Sequence, residues 1–304
     1  MTVTGLVEIA GQTLTNIMAV AVGEGHGLAL KSNGTVAGWG WNIFGQATGN
    51  PTKTGLCVSS GIVTIDGTLL ANVKAIAAGR THSLALKDDG TVAAWGSLND
   101  GKKASVPVGL SNVVAIAAGY DGSLALKNDG TVIGWDMRIP AGLSNIVAIA
   151  AANTPWSQGL VLRKDGVVVD LGRGNGLENG EVVASNAVAI AEGDAHGLAL
   201  QCDGTVVEWG SYTSGVSGGN TGNATSKLVT INGQILDNVI AIAASGNNSM
   251  ALKNDGTVVA WGKLGQQPAT VPAGLSNVVA ISAGDNFCLA ITTNRAVAER
   301  FRQK

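Results

Sequence analysis

The chain has 304 residues with 44 glycines, 13% charged and 4% aromatic residues, and a formal charge of -2. This balance gives nucleic acid no general electrostatic attraction, and no apolar stretch is long enough to cross a bilayer as a helix. Many glycines beside few aromatics point to turn-dense β structure with a small-residue interior. Cys57, Cys202 and Cys288 lie far apart and read as ordinary thiols, neither a disulfide framework nor a zinc site. No leader of basic, apolar and small-residue regions opens the chain, so the expectation is a cytoplasmic protein or a secreted one with its leader removed.

In chain order, the run LVEIAG at residues 6–11 comes first, followed by a repeat that recurs seven times. It is clearest as NVVAIAAGYDGSLALKNDGTVIGW over residues 112–135. Its asparagine falls at Asn16, Asn72, Asn112, Asn145, Asn186, Asn238 and Asn277, so the spacings are 56, 40, 33, 41, 52 and 39 residues. The unit is constant while the connectors vary. A unit this short cannot bury a core alone, whereas a stack of them can. Copies run from end to end, so residues 1–304 read as one domain, with the charged end 298–304 as a tail or the start of something further.

Each copy divides into three strand-like pieces. The first, VVAIAAG or a variant, is apolar throughout, as a strand covered on both faces requires. Its alanines suit the crowded innermost position where sheets converge on an axis. The second piece is LALK and the third TVxxWG. Between them Asp89-Gly90, Asp129-Gly130, Asp203-Gly204 and Asp255-Gly256 signal tight hairpin turns. Trp39, Trp95, Trp135, Trp209 and Trp261 share one register, where diverging sheets need a large ring to fill the gap. At ~150–250 Å² per ring and ~25 cal/mol/Å², each contributes about 4–6 kcal/mol before entropy costs.

A fourth strand is expected in the connectors, clearest in IVTIDG at 62–67 and LVTING at 228–233. Seven four-stranded sheets around an axis make an all-β, seven-bladed propeller. The 28 residues from Asn277 onward and the 15 before Asn16 together amount to one blade, and LVEIAG matches LVTING. The N-terminal strand is therefore expected to complete the last blade and close the ring.

The repeat resembles the regulator of chromosome condensation family in AIAAG, in HSLAL at 82–86, in Asp-Gly-Thr-Val and in Trp-Gly. Two connectors add a Gly-Gln element, at Gly45-Gln46 and Gly265-Gln266. The resemblance covers nearly the whole chain and implies a seven-bladed propeller of bacterial type, similar in architecture to the propeller-type β-lactamase inhibitor. It implies less about activity, because one fold hosts many functions. The inserted β-wedge of the family's exchange factors is not seen, which counts against exchange activity. Departures concentrate in the fourth copy, with an insertion at 152–158 and Leu171 at the tryptophan register, and in the seventh, with Thr292-Thr293-Asn294-Arg295 in place of Lys-Asn-Asp-Gly.

Successive connections in an up-and-down blade alternate between its ends, so the first-to-second and third-to-fourth strand loops share one face. Sequence variety lies there, and loops on a rigid scaffold are where recognition usually sits. Arg80, Tyr120, Asp121, Trp156, Asp194, Asp285 and Phe287 are the expected contact residues of the inner loops, with Trp41 and Phe44 at the rim. Trp156 has the alternative of folding inward for the tryptophan missing at Leu171, and Trp41 and Phe44 that of packing their own connector down. The three histidines, His26, His82 and His196, occupy one register. They form either a ring of imidazoles able to hold a metal or act as a base, or turn caps typical of the repeat. Gly215-Val216-Ser217-Gly218-Gly219 matches a nucleophile elbow by letter only, since no helix follows.

The leading expectation is a monomeric, non-enzymatic scaffold that needs no cofactor and docks a protein, not nucleic acid or a membrane, on that face. The alternatives are an enzyme or small-ligand binder using the histidines and acids of the channel mouth, and a repeat segment of a larger protein.

Overall fold

The computed structural model describes residues 7–9, 11–52, 57–97, 102–137, 139–152, 154, 159–172, 180–194, 196–210, 226–264, 267–285, 287–292 and 298–302. These residues are all-β: every strand pairing is antiparallel, and no helix among them is long and apolar enough to cross a membrane. Each copy of the repeat supplies the inner strand of its own sheet. The inner strands are Ile17–Val22, Val73–Ala78, Val113–Ala118, Ile146–Ala150, Ala187–Glu192, Val239–Ser245 and Val278–Ala283.

The repeat asparagine is the residue that turns the chain into the inner strand. All seven hold φ between 55° and 58°, a left-handed conformation that asparagine tolerates through its short polar side chain. The next residue reaches back to the previous sheet. The N–H groups of Val73, Val113, Ala187, Val239 and Val278 donate to the carbonyls of Gly34, Gly90, Gly166, Gly204 and Gly256 at 3.0–3.1 Å. Five hairpin turns are thus stitched to the next sheet. At Gly90, φ of +79° makes glycine the natural occupant. The preceding aspartate has a separate duty: Asp89 Oδ1 accepts the Thr91 N–H at 2.9 Å and the Thr91 hydroxyl at 2.6 Å. The same pair of bonds recurs at Asp203 and Asp255, which explains Asp-Gly-Thr as a unit.

Packing runs from sheet to sheet. The second strand of each sheet lies against the inner strand of the next, and Phe287–Thr292 of the seventh copy lies against Ile17–Val22 of the first. Leu28, Leu84, Leu124, Leu160, Leu198, Met250 and Leu289 occupy one register of the second strand, and all are fully buried. Two of the tryptophan ring nitrogens find acceptors one sheet back: Trp95 Nε1 donates to the Gln46 carbonyl at 2.9 Å and Trp261 Nε1 to Glu208 Oε2 at 3.1 Å.

Two expectations need correcting. The IVTIDG and LVTING elements are not the fourth strands themselves. The first sheet's fourth strand is Val58–Ile62, and Thr64–Ile65 then folds back on Thr68–Leu69 as a small hairpin. Lys227–Leu228 and the hairpin Thr230–Ile231 with Gln234–Ile235 repeat the arrangement, as does Glu8–Ile9 with Gln12–Thr13. The polar pair Asp66-Gly67 or Asn232-Gly233, both at positive φ, is what reverses the chain. Nor is every sheet four-stranded among the described residues: the second, third and seventh copies show three strands. In the third, Asp136 at φ 59° diverts the chain, and Ile139 packs over Gly134 where a fourth strand would lie.

Candidate functional site

The loops between inner and second strands are closed by one backbone bond each. Gly23, Gly79, Gly193 and Gly284 donate N–H to the carbonyls of His26, His82, His196 and Phe287 at 2.8–3.0 Å. A second set joins loop to loop: Arg80 N–H reaches the Gly119 carbonyl, Tyr120 N–H the Ala152 carbonyl and Asp194 N–H the Gly246 carbonyl. This rigid collar presents the side chains that vary between copies.

Three of them interlock. Arg80 Nε donates to Glu24 Oε2 at 2.9 Å, and its guanidinium carbon sits 4.4 Å from the centroid of the Tyr120 ring. An ion pair and a cation–π contact therefore tie three successive copies together, with Tyr120 half-buried beneath the cation. Asp194 belongs to the same neighbourhood. Its carboxyl is raised to about 7, first by burial and then by the charges of Asp285 and Glu24. Asp285 accepts the Ser245 hydroxyl at 2.6 Å. Arg80, Tyr120, Asp194 and Asp285 are thus brought together with Glu24, and half-buried Asp121 follows Tyr120 on the same loop. The arrangement is an acidic mouth with one cation set into its side.

Trp41 and Phe44 stand beside it, 47% and 45% exposed. The Trp41 ring lies over Gly25, where an added Cβ would sit 2.6 Å from ring carbon. Their connector is held without them. Buried Asn42 bridges Thr48 and Asn50 through Nδ2 and accepts the N–H groups of Ala47 and Thr48. Gln46 caps the N–H of Phe44 with its side chain and offers its carbonyl to Ser83 and Trp95.

The histidines do not form a ring open to solvent. His26, His82 and His196 are fully buried, and each Nε2 meets a serine of the next sheet: Ser83 at 2.8 Å, Ser123 at 2.9 Å and Ser249 at 2.8 Å. Because Ser83 Oγ donates to the Gln46 carbonyl, His26 must carry its proton on Nε2 and donate to that serine. Burial pushes the imidazoles down, to about 3 for His26 and about 4 for His82 and His196. No group of three histidine, cysteine or acidic side chains that could hold a metal exists among the described residues. The register that suggested a site is a set of latches between sheets. A signal for this was present in the sequence: histidine occurs where the following copy offers serine at the adjoining position. Where the sixth copy carries Asn248, the seventh offers Cys288, whose buried thiol is pushed up to about 12.

Phe287 is also corrected. It is 3% exposed and packs with Val7, Leu14, Ile17 and Trp39, because the position it holds is the buried histidine register. Trp156 and the 215–219 segment lie outside the described residues. Two exposed apolar features gave no warning. Met18, Val114, Val147, Val188, Ile240 and Val279, each second in its inner strand, are more than half exposed at the opposite end of those strands from the collar. A register shift in the pairing between the first and third residues places them there. The other feature is the outer strand Val58–Ile62.

Comparison with known proteins agrees with this geometry. The profile of the Regulator of chromosome condensation (RCC1) repeat matches residues 18–46, 73–101 and 239–263. Protein pim1 of Schizosaccharomyces pombe is 36% identical over 85 residues, a match that spans 27% of this chain and 16% of that protein. Among solved structures, Prp20p of Saccharomyces cerevisiae superposes with a TM-score of 0.70 at 21% identity, covering 95% of this chain and 83% of that one. The ectodomain of the Physcomitrella patens receptor kinase CR4 gives 0.67 at 16% identity, with 94% and 73% covered. With the repeat matched in three of its copies and its fold shared with these propellers, the chain is similar to RCC1 repeat proteins.

Proposed function

We propose that the chain is a non-enzymatic propeller of seven blades whose collar face docks a partner protein. The observation that carries the reading is the convergence of Glu24, Arg80, Tyr120, Asp194 and Asp285 from five copies of the repeat, beside exposed Trp41 and Phe44. Arginine and aromatics over a fixed backbone are the residues from which binding hot spots are built. The acidic surround favours a partner surface that offers lysine or arginine. A protein of this fold is described with protein partners: Prp20p, the yeast RCC1, in its binding to Gsp1p and histones and in complex with Kap60. That precedent is analogy at the level of fold. The histidine-based alternative is disfavoured, because the three imidazoles are buried and no three ligating side chains come together among the described residues.

The ring itself is part of the proposal. Val7 and Leu14 share a cluster with Phe287, Leu289 and Ile291, as expected if the N-terminal segment completes the seventh blade of a single domain. Removing residues 1–14 should lower the melting temperature; an unchanged melt would rule out that closure. For the docking face, the test is capture of a partner by the parent and by Tyr120→Ala/Arg80→Ala and Trp41→Ala/Phe44→Ala variants. Loss of the parent's partner in both, with melts preserved, is expected. Equal capture by both variants would remove the face from the function.

A further inference from the structure

The strand Val58–Ile62 is the outer edge of the first sheet. It pairs with Val36–Trp41 on one side, and no described residue pairs with the other. The Cys57 carbonyl accepts from Asn42 and the Val63 N–H donates to Val36. Alternation then turns the backbone groups of Ser59 and Gly61 toward the sheet and those of Val58, Ser60 and Ile62 outward. Val58 and Ile62 are 52% and 41% exposed, and the strand holds neither a charge nor a proline. The fourth strands of three other copies are blunted. Lys227–Leu228 is two residues long with a lysine, Gln267–Pro268 two residues with a proline, and Val182–Ala184 three residues. Brevity, lysine and proline are the usual protections against edge-to-edge pairing. Among the described fourth strands only this five-residue edge lacks them all.

We propose that Val58–Ile62 is a self-association strand, along which two copies of this chain pair antiparallel about a twofold axis through Ser60. The register follows from the sequence VSSGI. With Ser60 opposite its own counterpart, Val58 of each copy faces Ile62 of the other. The outward backbone groups of both strands then coincide, and three residue pairs exchange roughly six hydrogen bonds. Apolar meets apolar and hydroxyl meets hydroxyl, both favourable cross-strand pairs, and no like charges oppose each other. The contact is isologous, so it uses up the edge in both copies and stops at two. A strand from another protein would gain the same backbone bonds, but the near-palindromic alternation singles out a second copy. The inference does not depend on the collar face, and it replaces the expectation of a monomer. The strip is smaller than the ~1,200 Å² of a standard interface, so the dimer forms at high concentration.

Sedimentation of the full chain from about 5 µM to about 1 mM tests it. The mass is expected to rise from one 30.4 kDa chain to two. Ser60→Pro removes an N–H that the strand's own sheet does not use, and Ile62→Lys sets a charge on the seam. Each should weaken the dimer at least ~10-fold while leaving the melt of the dilute protein unchanged. Ser60→Cys, with exposed Cys57 and Cys202 changed to serine, should give a crosslinked pair on mild oxidation. The facing Cα atoms of a hydrogen-bonded pair lie ~5.5 Å apart, within disulfide reach. A single chain at every concentration overturns the proposal. So does a dimer that both variants leave intact, or one that Ser60→Cys fails to crosslink.

Discussion

Ser83→Ala isolates one latch between sheets. It removes the hydroxyl that accepts from His26 Nε2 and donates to the Gln46 carbonyl. The carbonyl keeps a second donor in Trp95 Nε1, so the orphan is the buried imidazole N–H. Leaving one buried donor unsatisfied costs about 1–3 kcal/mol. With ~2.1 cal/mol/K per residue, a chain of 304 residues should lose about 3 °C for a 2 kcal/mol penalty. Denaturant melts at pH 7.5 on the four members of a cycle, parent, Ser83→Ala, His26→Leu and the double variant, measure it. The double variant exchanges both partners for apolar groups and should recover part of the loss, a coupling of about 1–2 kcal/mol. Strict additivity, or a Ser83→Ala cost below about 0.5 kcal/mol, would refute the latch as a stabilising contact.

Three more outcomes are expected. Stability should fall as pH drops from about 6.5 toward 4: the unfolded chain protonates three imidazoles that the native state holds neutral, while Asp194, raised to about 7, binds its proton in the native state and opposes one of them. The net difference of two protons gives at most about 2.7 kcal/mol per pH unit, and urea midpoints that stay flat from pH 7 to 5 would contradict it. Phe287→Ala should cost about 3–5 kcal/mol in a thermal or urea melt, whereas Phe44→Ala should stay within about 1 kcal/mol; the reverse order would place Phe287 at the surface. Glu208→Leu should destabilise by about 1–3 kcal/mol through the stranded Trp261 Nε1–H and shift tryptophan fluorescence; an unchanged spectrum and midpoint would deny that contact.

The repeat made the sheets legible because its positions answer to local physics. Asparagine before each inner strand, Asp-Gly-Thr at four of the turns and leucine at most of the doubly covered positions have one physical reason each, repeated along the chain. The collar cluster was legible only where copies differ by half-buried loop residues: Arg80, Tyr120, Asp194 and Asp285 come together there. His26 and Phe287 misled because a position's neighbour belongs to the next sheet, so a register alone cannot tell a solvent-facing side chain from one capped by the following copy. The edge strand Val58–Ile62 was hidden for a related reason, since an absence of lysine and proline stands out only once the other outer strands are placed.

The stitch between five of the turn glycines and the next inner strand separates two quantities that a repeat protein usually ties together. Angular advance per copy is set at the turn end of the sheets, over a handful of invariant backbone atoms. Contour length is spent at the other end, which is why spacings from 33 to 56 residues coexist with one inner-strand geometry. Lineages that lengthen or exchange a connector therefore alter the recognition surface without reindexing the scaffold, and a designer can graft there by the same rule.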